Sequence, residues 1–222
     1  MNICIIIPAH NESKAIGALV GELRQRSFDV LVIDDGSTDR TGDIARECGA
    51  TVIRHDQKKG KGCALQKGFA HALQRYDGVI IMDGDGQHDT ESIQRFLEVA
   101  EKDEASVIVG NRMDDPRGMP LIRYCTNRFM SWLISVACGQ RIADTQCGYR
   151  YIGCDVLRAI DLVCCDFEIE TEILMKACKR GFKVYDVPIK TIYRNEESKI
   201  RPFQDTVRFI AYFSKEIFSC RQ

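Results

Sequence analysis

A chain of 222 residues with 45% hydrophobic and 28% charged positions is long enough to bury one full α/β core and too short for a second independent fold. Its formal net charge of −1 lacks the basic excess of a nucleic-acid binder, so no nucleic-acid partner is expected. The eleven cysteines are scattered, odd in number and set mostly inside apolar runs such as Ile3-Cys4-Ile5, which reads as reduced, buried thiols; no CxxC pair suggests structural zinc.

In chain order, Ile3 to Pro8 reads as a buried strand, and Ile16, Leu19, Val20 and Leu23 recur at helical spacing behind a cap at Asn11 or Ser13. Strands follow at Val30 to Ile33, Thr51 to Arg54, Val79 to Met82 and Ser106 to Val109. Helices separate them at about Thr41 to Glu47, Cys63 to Gln74 and around Ile93 to Ala100. Continuous apolar strands alternating with helices predict an α/β fold with a mostly parallel sheet covered on both faces. Past residue 111 the rhythm changes without a linker. A helix from Leu121 to Cys138, a polar loop at Asp144 to Gly148, a helix from about Glu168 to Lys179, a strand around Lys183 to Ile192 and a last amphipathic helix from about Pro202 to Phe218 complete one domain. No signal-peptide pattern opens the chain, and no apolar run reaches the roughly 18 to 20 residues of a bilayer span. A cytoplasmic location is expected, with any membrane contact made peripherally at the cytoplasmic face.

Three polar clusters fall directly after predicted strands: Pro8-Ala9-His10-Asn11-Glu12, Asp34-Asp35-Gly36-Ser37-Thr38-Asp39 and Asp83-Gly84-Asp85-Gly86-Gln87-His88. Each alone is a credible turn or cap. Together, on a parallel sheet, they project from one edge, where such sheets bind ligands. Asp83 and Asp85 share a side of extended chain and can reach one hard divalent ion, which would neutralise a diphosphate. Other phosphate chemistries fit less well. Lys58-Lys59-Gly60-Lys61-Gly62 lacks P-loop spacing, and no GxGxxG follows the first strand. An aspartyl-phosphate phosphatase places Asp-x-Asp after its first strand, whereas here the pair follows the fourth. A nucleotidyltransferase would carry a glycine- and arginine-rich first loop.

In order and spacing, these clusters with Lys59-Gly60-Lys61-Gly62, Gly110-Asn111-Arg112, Asp144-Thr145-Gln146-Cys147-Gly148-Tyr149, Val187-Pro188-Ile189 and Ser198-Lys199-Ile200 resemble the family 2 glycosyltransferases of GT-A fold. The closest likeness is to the dolichol- or polyprenyl-phosphate mannosyltransferase-like branch, and it covers nearly the whole chain. The resemblance implies a nucleotide-sugar-binding half at 1–110 and an acceptor-binding half at 111–222. It implies that Pro8, Asn11, Glu12 and Asp35 hold the donor nucleoside, with Lys61 near its base or ribose. Asp83, Asp85 and Gln87 would form the metal and diphosphate site, with Mg or Mn as cofactor. Arg112, Arg123, Lys199 and Arg201 would surround donor and acceptor phosphates, Arg123 and Arg201 having a solvated surface cation as the competing role. Asp144 and Gln146 would touch the acceptor or the transferred sugar, or else form a polar turn.

Glu168 and Glu172 share a helix face while Glu170 points elsewhere, and Glu172 stands equally for an acceptor-site carboxylate or a structural one. A phosphate acceptor is already ionised and requires no dedicated base. His88 reads as a hydrogen-bonding neighbour of the metal site. The helices at 121–138 and 202–218 either pack on the sheet or lie in a membrane interface. The reading that follows is an inverting transfer of a hexose from a GDP- or UDP-sugar to a polyprenyl phosphate. A membrane surface or a membrane partner subunit completes the expected partners. The rivals are a hydroxyl acceptor with the same donor, or a non-catalytic nucleotide-sugar-binding subunit.

Overall fold

The computed structural model describes residues 1–190 and Phe213. Seven strands form one sheet in the order β3-β2-β1-β4-β6-β5-β7. They are β1 (Ile3–Ala9), β2 (Asp29–Asp34), β3 (Thr51–Arg54), β4 (Gly78–Ile81), β5 (Val107–Asn111), β6 (Arg150–Gly153) and β7 (Val184–Pro188). The helices are α1 (Ile16–Gln25), α2 (Thr41–Glu47), α3 (Lys61–Ala72), α4 (Ser92–Lys102), α5 (Leu121–Cys138), α6 (Cys154–Ala159) and α7 (Ile169–Lys179).

The β-branched run of β1 places it at the centre: Cys4, Ile5, Ile6 and Ile7 are buried, and the strand pairs in parallel with β2 on one side and β4 on the other. β2 continues in parallel to β3, so β1, β2 and β4 all end at the same sheet edge. The stripe Ile16, Leu19, Val20 and Leu23 buries α1, and Ala64, Leu65, Gly68, Phe69 and Ala72 bury α3 against β1 and β2. One contiguous core joins these elements with Phe96, Val107 to Val109, Tyr149, Ile152, Ile173 and Leu174.

The sheet is mixed because of β6, which runs antiparallel to both β4 and β5. Neither β6 nor the short α6 is visible in the hydrophobic pattern. A four-residue strand containing an arginine, Arg150-Tyr151-Ile152-Gly153, has no periodicity to read. Its consequence is positional. Because β6 is antiparallel, the segment 144–149 enters it from the edge where β4 ends.

Other differences are local. α1 starts behind Ala15 with no side-chain cap, and neither Asn11 nor Ser13 caps it. Instead Ser13 N–H donates to Asp39 Oδ2 at 3.2 Å and Asn11 N–H to Ser37 Oγ at 3.0 Å, which lock the first polar loop onto the second. α3 begins at Lys61, two residues earlier than its apolar pattern. The expectation of wholly reduced thiols is corrected at one pair, since Cys63 and Cys165 are joined by a disulfide across 102 positions of sequence. Gly60 and Gly62 let the 160–168 segment come down on the start of α3. A Cβ on either would lie 2.3 Å from the Cys165 or Cys164 carbonyl oxygen, and this approach brings the two cysteine Cα atoms to 4.4 Å. Eight further cysteines are free among the described residues.

No helix among the described residues is long and apolar enough to cross a membrane. Lys199, Arg201 and the expected helix from Pro202 to Phe218 lie outside the described residues, apart from Phe213, which packs with Ile134 and Ile142.

Candidate active site

The three polar clusters meet at the edge where β1, β2 and β4 end. Asn11 adopts φ 56°, and its side-chain oxygen accepts from Thr38 N–H at 2.9 Å. Glu12 N–H donates to Thr41 Oγ1 at 2.8 Å, and His10 Nδ1 lies 2.9 Å from the Asp35 carbonyl oxygen. Asp35 is buried and accepts from Lys59 N–H and Gly60 N–H, each at 2.8 Å, with His55 Nδ1 2.8 Å from its Oδ1. Pro8, half-buried in β1, faces Ile33 in register. The residues expected to hold a nucleoside are therefore brought together, and the side chains of Asn11 and Asp35 also build the frame of the loops that carry them.

Asp83 stands just past β4, a third of its side chain exposed. Lys61 Nζ lies 2.5 Å from its Oδ1 and 2.7 Å from Glu170 Oε1, and the lysine is itself nearly buried over the Phe167 ring. Burial opposes ionisation of both partners. The Lys61 charge nonetheless holds Asp83 well below the usual carboxylate range, and Asp83 and Glu170 together hold Lys61 above an ordinary lysine. His88 Nε2 is 3.4 Å from Asp83 Oδ2, and its ring rests 4.9 Å from that of Tyr149, with Nδ1 buried and unpartnered.

Asp85 differs from Asp83. It accepts from Gln87 N–H at 2.9 Å, while burial and then the neighbouring Asp83 charge push its pKa up. A carboxylate whose ionisation is opposed in this way is one that a cation would relieve. Among the described residues no group of three or more His, Cys, Asp and Glu gathers to hold an ion by itself. Two carboxylates fit an ion that takes its remaining ligands from substrate phosphates and water, which is the habit of Mg and Mn sites at phosphates.

In the acceptor half three of the expected residues are engaged with the protein itself. Arg112 and Asp144 are turned onto each other: Asp144 is fully buried and accepts from Arg112 N–H, Nε and Nη2 at 3.2, 2.7 and 3.0 Å. The planar guanidinium fork matches a carboxylate, and at this depth a lone charge of either sign would cost several kcal/mol. Glu172 is fully buried as well. Its carboxylate accepts from Val163 N–H at 3.0 Å, Cys164 N–H at 2.9 Å and Lys176 Nζ at 2.7 Å and so anchors the 160–165 segment, which matches the structural one of its two expected roles. Gln146 is half-buried, with its amide on Thr145 Oγ1 at 3.1 Å, and Arg123 is half-buried in the first turn of α5.

Sequence reasoning missed Glu170, which faces Lys61 from the first turn of α7. Its usable signal was the acidic pair at the start of a helix. Gly148 marks the same junction, since a Cβ there would lie 2.8 Å from Asp83 Oδ2, 2.9 Å from Glu170 Oε1 and 3.0 Å from Lys61 Nζ.

A family model, glycosyl transferase family 2, matches residues 4–160, a span that contains all three strand-end clusters and the segment 144–149. The chain belongs to glycosyl transferase family 2. It is 33% identical over 217 residues to an undecaprenyl-phosphate mannosyltransferase of Micrococcus luteus, covering 90% of this chain and 88% of the relative. To a UDP-N-acetylglucosamine–dolichyl-phosphate N-acetylglucosaminyltransferase of Methanococcus voltae it is 30% identical over 215 residues, covering 86% of each. Among solved structures it is similar to glucosyl-3-phosphoglycerate synthase of Mycobacterium tuberculosis in complex with Mn2+, UDP and phosphoglyceric acid. There the TM-score is 0.74 at 18% identity, over 98% of this chain and 78% of that one. The fold of this glycosyltransferase is thus GT-A, as its motifs imply, and β6 accounts for the mixed sheet.

Proposed function

We propose that this family 2 glycosyltransferase moves a hexose from a GDP- or UDP-sugar to a polyprenyl or dolichyl phosphate with inversion at the anomeric carbon. The observation that carries the donor side is the cluster of Asp83, Asp85, Lys61 and Glu170 at the edge where three strand ends converge. Residues 1–110 are the donor half. Asp83, Asp85 and Gln87 would hold Mg or Mn, whose chemistry is to neutralise the diphosphate and stabilise it as it departs. Lys61, expected near the base or ribose, is held at the same edge by Asp83 and Glu170, and Pro8, Asn11, Glu12 and Asp35 frame the nucleoside.

On the acceptor side, residues 111–222, α5 carries a large exposed apolar stripe. Asn127, Ser131 and Ile134 face inward, whereas Leu121, Ile122, Phe129, Trp132 and Val136 are 58–83% exposed. An apolar stripe of that length bordered by Arg123 and Arg128 suits the surface of an anionic membrane, which is where a polyprenyl phosphate resides. Beside it a cleft of about 600 Å3, lined by Trp132, Val136, Arg128 and Arg141, offers both apolar and cationic contact. Lys199 and Arg201 are the further cations assigned to the phosphates.

Direct displacement fits these residues. The acceptor phosphate is its own ionised nucleophile, and the carboxylates that could have served as a base, Asp144 and Glu172, are bound to Arg112 and Lys176. The function is tested by offering polyprenyl phosphate, the corresponding polyprenol and a soluble saccharide to the enzyme in parallel. NMR then reads the anomeric configuration of the product. Sugar on the lipid phosphate alone, with inverted configuration, is expected; a glycosylated saccharide or a retained anomer would overturn the reading.

A further inference from the structure

Among the described residues Arg150 is the largest fully buried side chain, and no motif of the donor or acceptor site contains it. It sits at the start of β6, in register with Ile81 of β4 and Val109 of β5, one strand position short of the turn that carries Asp83. Its guanidinium donates to three backbone carbonyls: Nε to Cys147 O at 2.7 Å, Nη2 to Thr145 O at 2.8 Å and Nη1 to Glu170 O at 2.5 Å. Among the described residues it forms no ion pair.

Burying a cation whose hydrogen bonds all go to carbonyl dipoles is costly even with the Glu170 and Asp144 charges nearby, and a fold that needed only a plug between β4 and β5 would be served by an apolar side chain. The guanidinium does what an apolar residue or a lysine cannot: its rigid fork holds three carbonyls from two distant segments in one plane. Those segments are the two walls of the charged cluster. Thr145 and Cys147 fix the loop that ends at Gly148, where a Cβ would lie 2.8 to 3.0 Å from Asp83 Oδ2, Glu170 Oε1 and Lys61 Nζ. The Glu170 carbonyl fixes the first turn of α7, and the Glu170 carboxylate holds Lys61 on Asp83.

We propose that Arg150 is a positioning residue for the transfer reaction. It locks the 145–148 loop and the first turn of α7 into one unit, so that Glu170 presents Lys61 to Asp83 at the spacing the donor diphosphate requires. This inference rests on the reading of the Asp83 cluster as the donor site.

The test uses the full chain with R150K, R150M, E170Q and the double variant R150K/E170Q. Thermal unfolding is measured for each, with calorimetric affinity for UDP and for GDP in the presence of manganese and, where turnover is measured, KM and kcat. Lysine keeps the charge but not the fork, so R150K is expected to unfold cooperatively near the parent's midpoint. Its nucleotide affinity should fall about ten- to hundredfold, the scale of one or two lost charge-assisted hydrogen bonds. Because Arg150 acts through Glu170, the double variant should bind no more weakly than the worse single one.

Parent-like affinity and parent-like KM and kcat in R150K would overturn the inference. So would additive losses in the double variant, and so would failure of both R150K and R150M to fold, since the guanidinium would then be a requirement of the core alone. If the parent binds neither nucleotide with manganese, the donor-site reading itself falls and takes this inference with it, which separates the two failures.

Discussion

Glu172→Gln separates a structural carboxylate from a catalytic one. The side chain is fully buried and satisfies two backbone N–H groups and the Lys176 ammonium, at distances between 2.7 and 3.1 Å. Glutamine keeps the shape but loses the charge and one acceptor oxygen, and its NH2 is then turned toward groups that are themselves donors. Breaking a buried ion pair costs about 3–5 kcal/mol, and Lys176, about a fifth exposed, recovers part of this by turning to solvent. A loss of about 3 kcal/mol lowers the unfolding midpoint of a domain this size by about 6–12 °C. Circular dichroism melting gives the midpoint, and steady-state assay below the transition gives kcat, expected within about fivefold of the parent. Removing a general base costs about 100- to 10,000-fold in rate. An unchanged midpoint with a rate loss of that order would refute the structural assignment and return Glu172 to the acceptor site.

Gly148→Ala perturbs the charged cluster from the other wall. The atoms nearest the added methyl are the far ends of Asp83, Glu170 and Lys61, which can swing aside, so the protein should fold with a similar midpoint while nucleotide affinity in manganese drops; parent-like affinity would contradict the account of the cluster. Asp39 governs part of the acid response: burial opposes its ionisation, but hydrogen bonds from Thr41 and Ser13 hold its pKa at about 2 against an ordinary 3.8. A depressed carboxylate contributes stability above its unfolded value and loses it as pH falls between those two figures. Asp39→Asn should accordingly flatten the dependence of the unfolding midpoint on pH in that window, and an unaltered slope would show that the loop contacts carry no such stability.

The elements that positioned the site were legible because their signals are periodic or composed of chemistry at strand ends. The isoleucine run of β1, the stripe of α1, the full extent of α5 and the shared edge of the first, second and fourth strands could be read without knowing any contact. What could not be read depends on which distant residue a side chain meets. Arg112 and Asp144 are 32 positions apart, and no spacing rule announces that each satisfies the other. The i,i+4 relation of Glu168 and Glu172 gave a common face but not its direction, so it left the two roles of Glu172 open and did not show that Glu170 meets Lys61. Arg150 was overlooked because β6 is too short to show a pattern. The Cys63–Cys165 link depends on the close approach allowed by Gly60 and Gly62.

The central claim is that this site transfers sugar from a nucleotide to a lipid phosphate. It is tested most directly by incubating the purified protein with labelled UDP- and GDP-sugars, manganese or magnesium and polyprenyl phosphate, and by measuring label in the organic phase. Label should enter the lipid from at least one donor, disappear with chelator, and be absent for Asp85→Asn folded as well as the parent. Transfer that survives chelation or this substitution would contradict the metal assignment, and absence of label from every donor would contradict the function.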